Sequence, residues 1–309
     1  MNEDALRRIE RDLGPEVIDR IAALRGADLT TLMLEVARRR TDGVTSNDVL
    51  RRYETDRFVS PGPFPPSTIA RIEATLFASL PDGFEPLVLS PVAPLGAHRI
   101  AGVDQSRVVT TVRSNEVAAD PTNVLALEAA IHRRRLLRGD ARSSELVRLA
   151  ASQRVTRAQV FEGEGVFSHF QIFGLATAGR DIGDLGFERR AVVEHVRFAA
   201  DAIRSVTGSV VVVELTDLTG DGMREVMALV RDALPDVDVR DRPDRDAGRA
   251  YYDRVCFKAY ASAGEHPFEI ADGGLVDWTQ RLVPSRKERL MISGLGVERL
   301  ALALGGSAP

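Results

Sequence analysis

The chain has a single cysteine among its 309 residues, Cys256, which excludes an intramolecular disulfide and leaves no cysteine cluster for structural zinc or an iron–sulfur group. Placed on an apolar strand, that thiol is expected to be buried and inert. Long hydrophobic runs are also missing, since none approaches the ~20 residues of a membrane-spanning helix. The opening MNEDALRRIERDLG carries no signal-peptide core, so the expectation is a cytoplasmic protein without membrane association. Histidine is sparse, and His98, His132, His169, His195 and His266 show no i, i+4 pair or other ligand spacing, so no metal site is expected. Lysine occurs only at Lys258 and Lys287, which leaves 39 of the 41 basic residues as arginine. A compositional bias explains the excess as a whole. A guanidinium is also planar, permanently charged and able to bind phosphate bidentately, so placement in motifs has to identify any arginine with a chemical role.

What is present fits a globular protein. With 44% hydrophobic and 28% charged residues the chain is neither disordered nor fibrous, and its length accommodates one large domain or two ordinary ones. Residues 1–58 read as a helical N-terminal extension, with Asp28 as N-cap of DLTTLMLEVARRR and Ser46 as cap of SNDVLRRYETDRF. The run VSPGPFPPS holds four prolines and a glycine, stops helix, and marks a linker over 59–66. A second unit, 67–309, then opens with the amphipathic helix STIARIEATLFASLP, whose Ile69, Ile72, Leu76 and Leu80 share one side. Short strands follow at GFEPLVLSP and at VVTTVR (108–113), then a long helix over 123–138. VRLAASQRVTRAQVF and HFQIFGLATAG read as two strands joined by the turn EGEGVF. Between 188 and 239 the pattern is helix, strand, helix, strand, and strands at RVCFKAYA and ERLMISGLG precede a closing helix, VERLALAL. The fold class expected is α+β, an antiparallel-rich sheet flanked by helices. The basic run HRRRLLRGDAR at 132–142 is expected as a solvated helix face rather than a nucleic-acid patch, because Leu136 and Leu137 interrupt it.

Three segments, in order, resemble the signature motifs of class II aminoacyl-tRNA synthetases. The helix followed by GFEPLVLSP, with Pro91 at its end, is similar to the dimer-forming motif 1; RVTRAQVFEGEGVFSHFQIFGL resembles motif 2, two strands and a loop over ATP; SGLGVERLALAL resembles motif 3. Within the class, GRAYYDRVCFKAY and the glycine-rich turn IADGGLVDW resemble segments of histidyl-tRNA synthetase and of its paralogue, the regulatory subunit of ATP phosphoribosyltransferase. The likeness covers about residues 67–305.

The resemblance implies ATP, with magnesium carried through it, as the ligand. Arg157 matches the α-phosphate arginine of motif 2, Arg299 the arginine of motif 3, and Phe170 the ring that stacks on adenine; fixed guanidinium groups would stabilise the charge of adenylate formation without reorganising. Gln159 stands where the family has a glutamate beside ATP, Ala176 replaces an acidic residue, and Ile172 replaces a glutamine that contacts histidine. The subgroup's catalytic arginine falls on Ala247, although Arg245 and Arg249 lie near it in sequence. Histidine is therefore not the expected substrate. In ADPTN, Asp120 could pair with a substrate ammonium and Thr122 hydrogen-bond beside it, or the pair could simply cap the next helix. Tyr251, Tyr252 and Asp277 complete the substrate-pocket candidates by resemblance. Motif 3 ends near residue 304, leaving no segment for an anticodon-binding domain, so tRNA is not expected as a partner.

Two functions follow as expectations. One is a homodimeric ligase that joins ATP and a small amino or carboxylic acid into an acyl-adenylate and passes the acyl group to an acceptor other than tRNA, such as a protein. The other is a non-catalytic subunit that senses an amino acid and regulates a partner enzyme.

Overall fold

In the computed structural model, residues 2–158, 167–220, 222–246, 248, 251–263 and 266–305 are described. The chain starts with four helices, α1 (Glu3–Leu13), α2 (Val17–Ala22), α3 (Gly26–Thr41) and α4 (Ser46–Thr55), none of which buries a residue. Two of the expected caps shift. Thr45, not Ser46, caps α4, because Thr45 and Asp48 exchange hydrogen bonds in a complete capping box. Asp28 lies inside the first turn of α3, held by Arg25 at 2.8 Å, and Arg25 takes the cap position.

Helix α5 (Pro66–Ala78) follows, starting on a proline, which suits a first turn whose N–H groups have no intrahelical partner. Ile72 and Leu76 are buried from it, and Ile69 and Leu80 pack against the same core, as the spacing requires. The rest of the chain runs β1 (Glu85–Pro86), β2 (Val92–Pro94), α6 (Ala97–Ile100), β3 (Asn115–Val117), α7 (Pro121–Gly139), β4 (Val147–Thr156) and β5 (His169–Arg180). It continues through α8 (Gly186–Thr207), β6 (Val211–Asp217), α9 (Arg224–Ala233), β7 (Asp238–Asp241), β8 (Asp253–Ala263), β9 (His266–Val276), α10 (Trp278–Leu282), β10 (Glu288–Gly296) and α11 (Val297–Ala303).

Eight strands form one sheet in the order β1-β4-β5-β10-β9-β8-β6-β7. The six inner strands are antiparallel, and the edge pairs β1/β4 and β6/β7 are parallel. Both faces are covered. On β10, Met291 and Leu295 enter the core beneath α5, α8, α9 and α11, while Leu290 and Ile292 enter the smaller core beneath α7 and α10. On β5, Phe173 and Leu175 face the first layer, and Ala176 and Ala178 the second. The small residues on the second face let α7 lie close: a Cβ at Gly174 would stand 2.9 Å from Pro121 Cγ, at the start of that helix.

Two strand expectations and one turn expectation need correction. The GFEPLVLSP strand is only two residues long, and Val88 is fully exposed beyond it. Residues 108–113 form no strand; Arg113 N–H donates to Thr111 Oγ1 and Ser114 adopts a positive φ of 58°, so a threonine-led turn interrupts the β-branched run. IADGGLVDW is no turn: its glycines lie within β9, where a Cβ at Gly273 would meet Phe257 and Ser293 at 2.6 Å. Those glycines serve close approach between strands. Gln159 and Ala247, like Arg249 and most of the EGEGVF turn, lie outside the described residues. Among the described residues no helix is long and apolar enough to cross a membrane.

Candidate functional site

The face of the sheet carrying β4, β5, β10 and β9 opens beside the N-terminus of α7 into a cavity of about 650 Å3. Arg157, Phe170, Arg299, Asp120, Thr122, Tyr251 and Tyr252 all line it. These residues come from segments separated by as many as 179 positions of chain, between Asp120 and Arg299, and the sheet register brings them to one opening.

At one side, Asp120 is the N-cap of α7. Its Oδ1 accepts from Thr122 N at 2.9 Å and Thr122 Oγ1 at 2.7 Å, so the capping role read from the sequence is present. Its Oδ2 accepts from Arg157 Nη2 at 3.2 Å, and Arg157 Nε donates to Ala119 O at 3.0 Å. The same guanidinium lies 5.1 Å from the Phe170 ring centroid, a cation–π contact that holds it against the cavity wall. Beneath this corner is a buried network: Glu116 accepts from His98 N, Gly96 N and Gln105 Nε2, His98 Nδ1 lies 2.5 Å from Glu116 Oε1, and His98 Nε2 accepts from Ala119 N at 2.9 Å. These bonds require the neutral ring with its proton on Nδ1. Burial works to raise Glu116, but the donors around it prevail and hold its carboxyl below the usual range.

The opposite side is a chain of ion pairs. Arg299 Nη1 donates to Glu269 O and Oε1, both at 3.2 Å, and Lys258 Nζ lies 2.5 Å from Glu269 Oε2. Arg245 grips Asp272 with Nη2 at 3.0 Å from each carboxylate oxygen and stacks 5.5 Å from the Tyr252 ring centroid. Burial pushes the Asp272 carboxyl up even with Arg245 against it. Glu298 accepts from Arg154 Nη2 at 3.0 Å and from Gln171 N at 2.7 Å. Tyr251 and Tyr252 stand edge to face at 5.0 Å, and burial pushes both phenols well up. Both therefore stay neutral hydroxyls at physiological pH.

Asp277 is not brought to the cavity. It precedes α10, and its carboxylate accepts from Arg281 at 2.7 Å. Arg245, two positions before Ala247, lies against the Tyr252 ring, while Arg249 is outside the described residues. The sequence reading missed Asn123, Glu269, Asp272 and Glu298, which also line the cavity. Asn123, Asp272 and Glu298 each stood inside a segment already singled out, but only the fold shows which way they point. Among the described residues no group of three or more acidic, histidine or cysteine side chains is placed to hold a metal ion.

No family model and no curated protein matches the sequence. Solved structures do match the fold. An ATP phosphoribosyltransferase regulatory subunit/histidyl-tRNA synthetase from Bacillus halodurans C superposes with a TM-score of 0.57 at 12% identity, over 81% of this chain and 83% of that one. Histidyl-tRNA synthetase from S. aureus gives 0.59 at 15% identity, over 80% and 68%, and that from Nostoc sp. PCC 7120 gives 0.60 at 15%, over 80% and 75%. With its eight-stranded mixed sheet, flanking helices and helical N-terminal region, the protein has the α+β fold of the class II aminoacyl-tRNA synthetases, like that of histidyl-tRNA synthetase and the phosphoribosyltransferase regulatory subunit.

Proposed function

We propose that the cavity binds ATP together with a small amino or carboxylic acid and joins them as an acyl-adenylate, with the acyl group then passed to an acceptor other than tRNA. The substrate carboxylate attacks the α-phosphorus, a new acyl–phosphate bond forms, and pyrophosphate leaves with the bonding pair. The observation that carries this reading is that Arg157, Phe170 and Arg299 line the same cavity as Asp120, Thr122, Tyr251 and Tyr252. Arg157 sits beside the α-phosphate position and stabilises charge there, Phe170 lies under adenine, and Arg299 meets the far end of the nucleotide. Asp120 and Thr122 hold the ammonium, and the tyrosines wall the substrate. The volume of about 650 Å3 lies within the usual range for ligand cavities. Magnesium bound with the nucleotide would neutralise phosphate charge, and Glu269 and Glu298 are oxygen donors of the class it takes. On this reading residues 67–309 form the catalytic unit, 59–66 the linker and 1–58 an appendage. A homodimer would form through the motif 1 segment, where Val88 is bare.

Calorimetry with ATP tests the proposal. Heat of binding in the presence of magnesium, weakened in Arg157→Ala and Arg299→Ala, supports it, and no heat with or without magnesium sinks it. A pyrophosphate-exchange screen across amino acids then identifies the substrate.

A second reading, the amino-acid-sensing regulatory subunit, is favoured by one observation: Arg157 and Arg299 each already hold a carboxylate, so neither guanidinium is uncompensated in the empty cavity. Thermal stabilisation by an amino acid without nucleotide, with co-purification of a partner enzyme, distinguishes it.

A further inference from the structure

Five buried side-chain atoms among the described residues have no hydrogen-bond partner: Asn123 Nδ2, Gln153 Oε1, Glu188 Oε2, Arg189 Nε and Thr279 Oγ1. Only Asn123 Nδ2 among them belongs to a residue that lines the cavity; it has no exposed surface in the empty cavity, so an acceptor reaches it on a small rotation of the side chain. It is 3% exposed, on the first turn of α7, one position beyond Thr122. Its Oδ1 is taken by the Tyr251 hydroxyl at 3.4 Å, which leaves the amide N–H groups without an acceptor. A buried donor left this way costs roughly 1–3 kcal/mol, and native proteins rarely carry one without a ligand or water to receive it.

We propose that Asn123 Nδ2 selects the acid bound in the cavity, donating to a hydrogen-bond acceptor on its side chain, and that the substrate is a neutral amino acid carrying an amide or hydroxyl oxygen. This rests on the functional reading above and narrows it. Two features of the surroundings set the class. An aliphatic side chain would leave the donor sealed and unpaired, the situation that makes a polar site reject an apolar analogue. Asp120, Asp246, Glu269, Asp272 and Glu298 line the cavity against Arg107, Arg157 and Arg299, so an acidic side chain would add to the majority charge. Arg245 does not relieve this, since both of its contacts to Asp272 are already made.

Thermal-shift titration of the full chain with L-glutamine, L-asparagine, L-serine, L-threonine, L-leucine, L-valine and L-glutamate tests the assignment, with ATP and magnesium as a separate arm. At least one amide or hydroxyl amino acid should stabilise the protein most, and Asn123→Leu, of similar volume, should weaken that ligand about tenfold while leaving the ATP arm unchanged. Asn123→Asp, which replaces the donor by an acceptor, should weaken it further. Unliganded Asn123→Leu melting no lower than wild type shows that the fold is kept. Stronger stabilisation by leucine, valine or glutamate, or an unchanged ligand order in Asn123→Leu, would overturn the assignment while leaving the functional reading standing. Silence from every amino acid with ATP binding intact would instead remove the amino-acid half of that reading, and this inference with it.

Discussion

Replacing Arg133 by methionine should be among the most damaging single changes outside the cavity. Arg133 lies in the middle of a basic run, yet it is fully buried, as is its partner Glu288 at the start of β10. Nε and Nη2 meet the two carboxylate oxygens at 2.7 and 3.1 Å, and Nη1 and Nη2 donate to the carbonyls of Glu145 and Ser143 at 2.6 and 2.9 Å. Four of the five N–H donors of the guanidinium are used. The pair ties α7, which presents Asp120, Thr122 and Asn123 at its other end, to the strand that leads into Arg299.

In Arg133→Met the hydrophobic volume is largely kept, but Glu288 is stranded as a buried charge and two carbonyls lose their donor. Removing one partner of such a pair costs about 3–5 kcal/mol, whereas replacing both by apolar groups of similar size is often neutral. The single variant should therefore melt lower by on the order of 10 °C, and Arg133→Met/Glu288→Met should recover most of that loss. Urea unfolding of wild type, both singles and the double closes the cycle. A single variant within 1 kcal/mol of wild type, or a double no more stable than Arg133→Met, would refute the reasoning.

Two further outcomes follow from buried groups. His195 is enclosed between Thr177 Oγ1 at 2.9 Å and Ser293 Oγ at 2.8 Å, and burial, with Arg148 nearby, pulls it down to about 3. Its folded value lies below the unfolded one near 6.5, so the unfolded chain takes the proton first and stability falls as pH drops from about 6.5 towards 3, by up to about 1.4 kcal/mol per pH unit. His195→Gln should flatten the pH dependence of the unfolding free energy by about one proton, and an unchanged slope would show that His195 does not titrate this way. Gly274→Ala would place a Cβ 2.6 Å from Tyr252 Cδ1 and 2.8 Å from Val255 O, so about 1–3 kcal/mol of destabilisation is expected in thermal or urea melts. Wild-type stability in that variant would mean β9 and Tyr252 have slack that the packing does not show.

The long elements were legible because each carries a sustained period or a dense apolar run. The helix STIARIEATLFASLP buries the side its spacing predicts, and the apolar strands of motifs 2 and 3 are strands covered on both faces. Short segments were not, for local reasons. At 108–113 the β-branched composition is right for a strand, but the Thr111 hydroxyl accepts from Arg113 N–H and the run folds into a turn. At IADGGLVDW the glycines suggest a turn, yet they are there because strands β8 and β10 leave no room for a Cβ. Arg133 was read as solvated with its neighbours, since nothing in HRRRLLRGDAR marks one arginine of the run as paired with a glutamate 155 positions away. The cavity lining has the same logic: motif position located Arg157, Phe170 and Arg299, whereas Asn123, Glu269 and Asp272 depend on which way a strand or first helical turn faces.

Charge pairing in the cavity connects its two halves. A phosphate that takes the Arg157 guanidinium takes it from Asp120, and the carboxylate so released sits at the N-cap of α7 with Oδ1 still bound to Thr122 and Oδ2 open. An open, partly buried carboxylate favours a cation, and the ammonium of an amino acid supplies one where the nucleotide has just removed another. The same exchange holds at the far side, where a phosphate on Arg299 frees Glu269 Oε1 while Lys258 stays on Oε2. Either ligand alone leaves Asp120 or Arg157 without its present partner, and the two together restore a partner to each. Binding of ATP and of the amino acid should then favour one another, by the same factor in either order. A site built only to sense an amino acid gains nothing from that exchange, since the ammonium would have to displace Arg157 from Asp120 with no anion to receive it. Repeating the amino-acid titration with and without saturating nucleotide therefore reads the physical difference between the two proposed functions: tighter binding with nucleotide belongs to the ligase, indifference to the sensor.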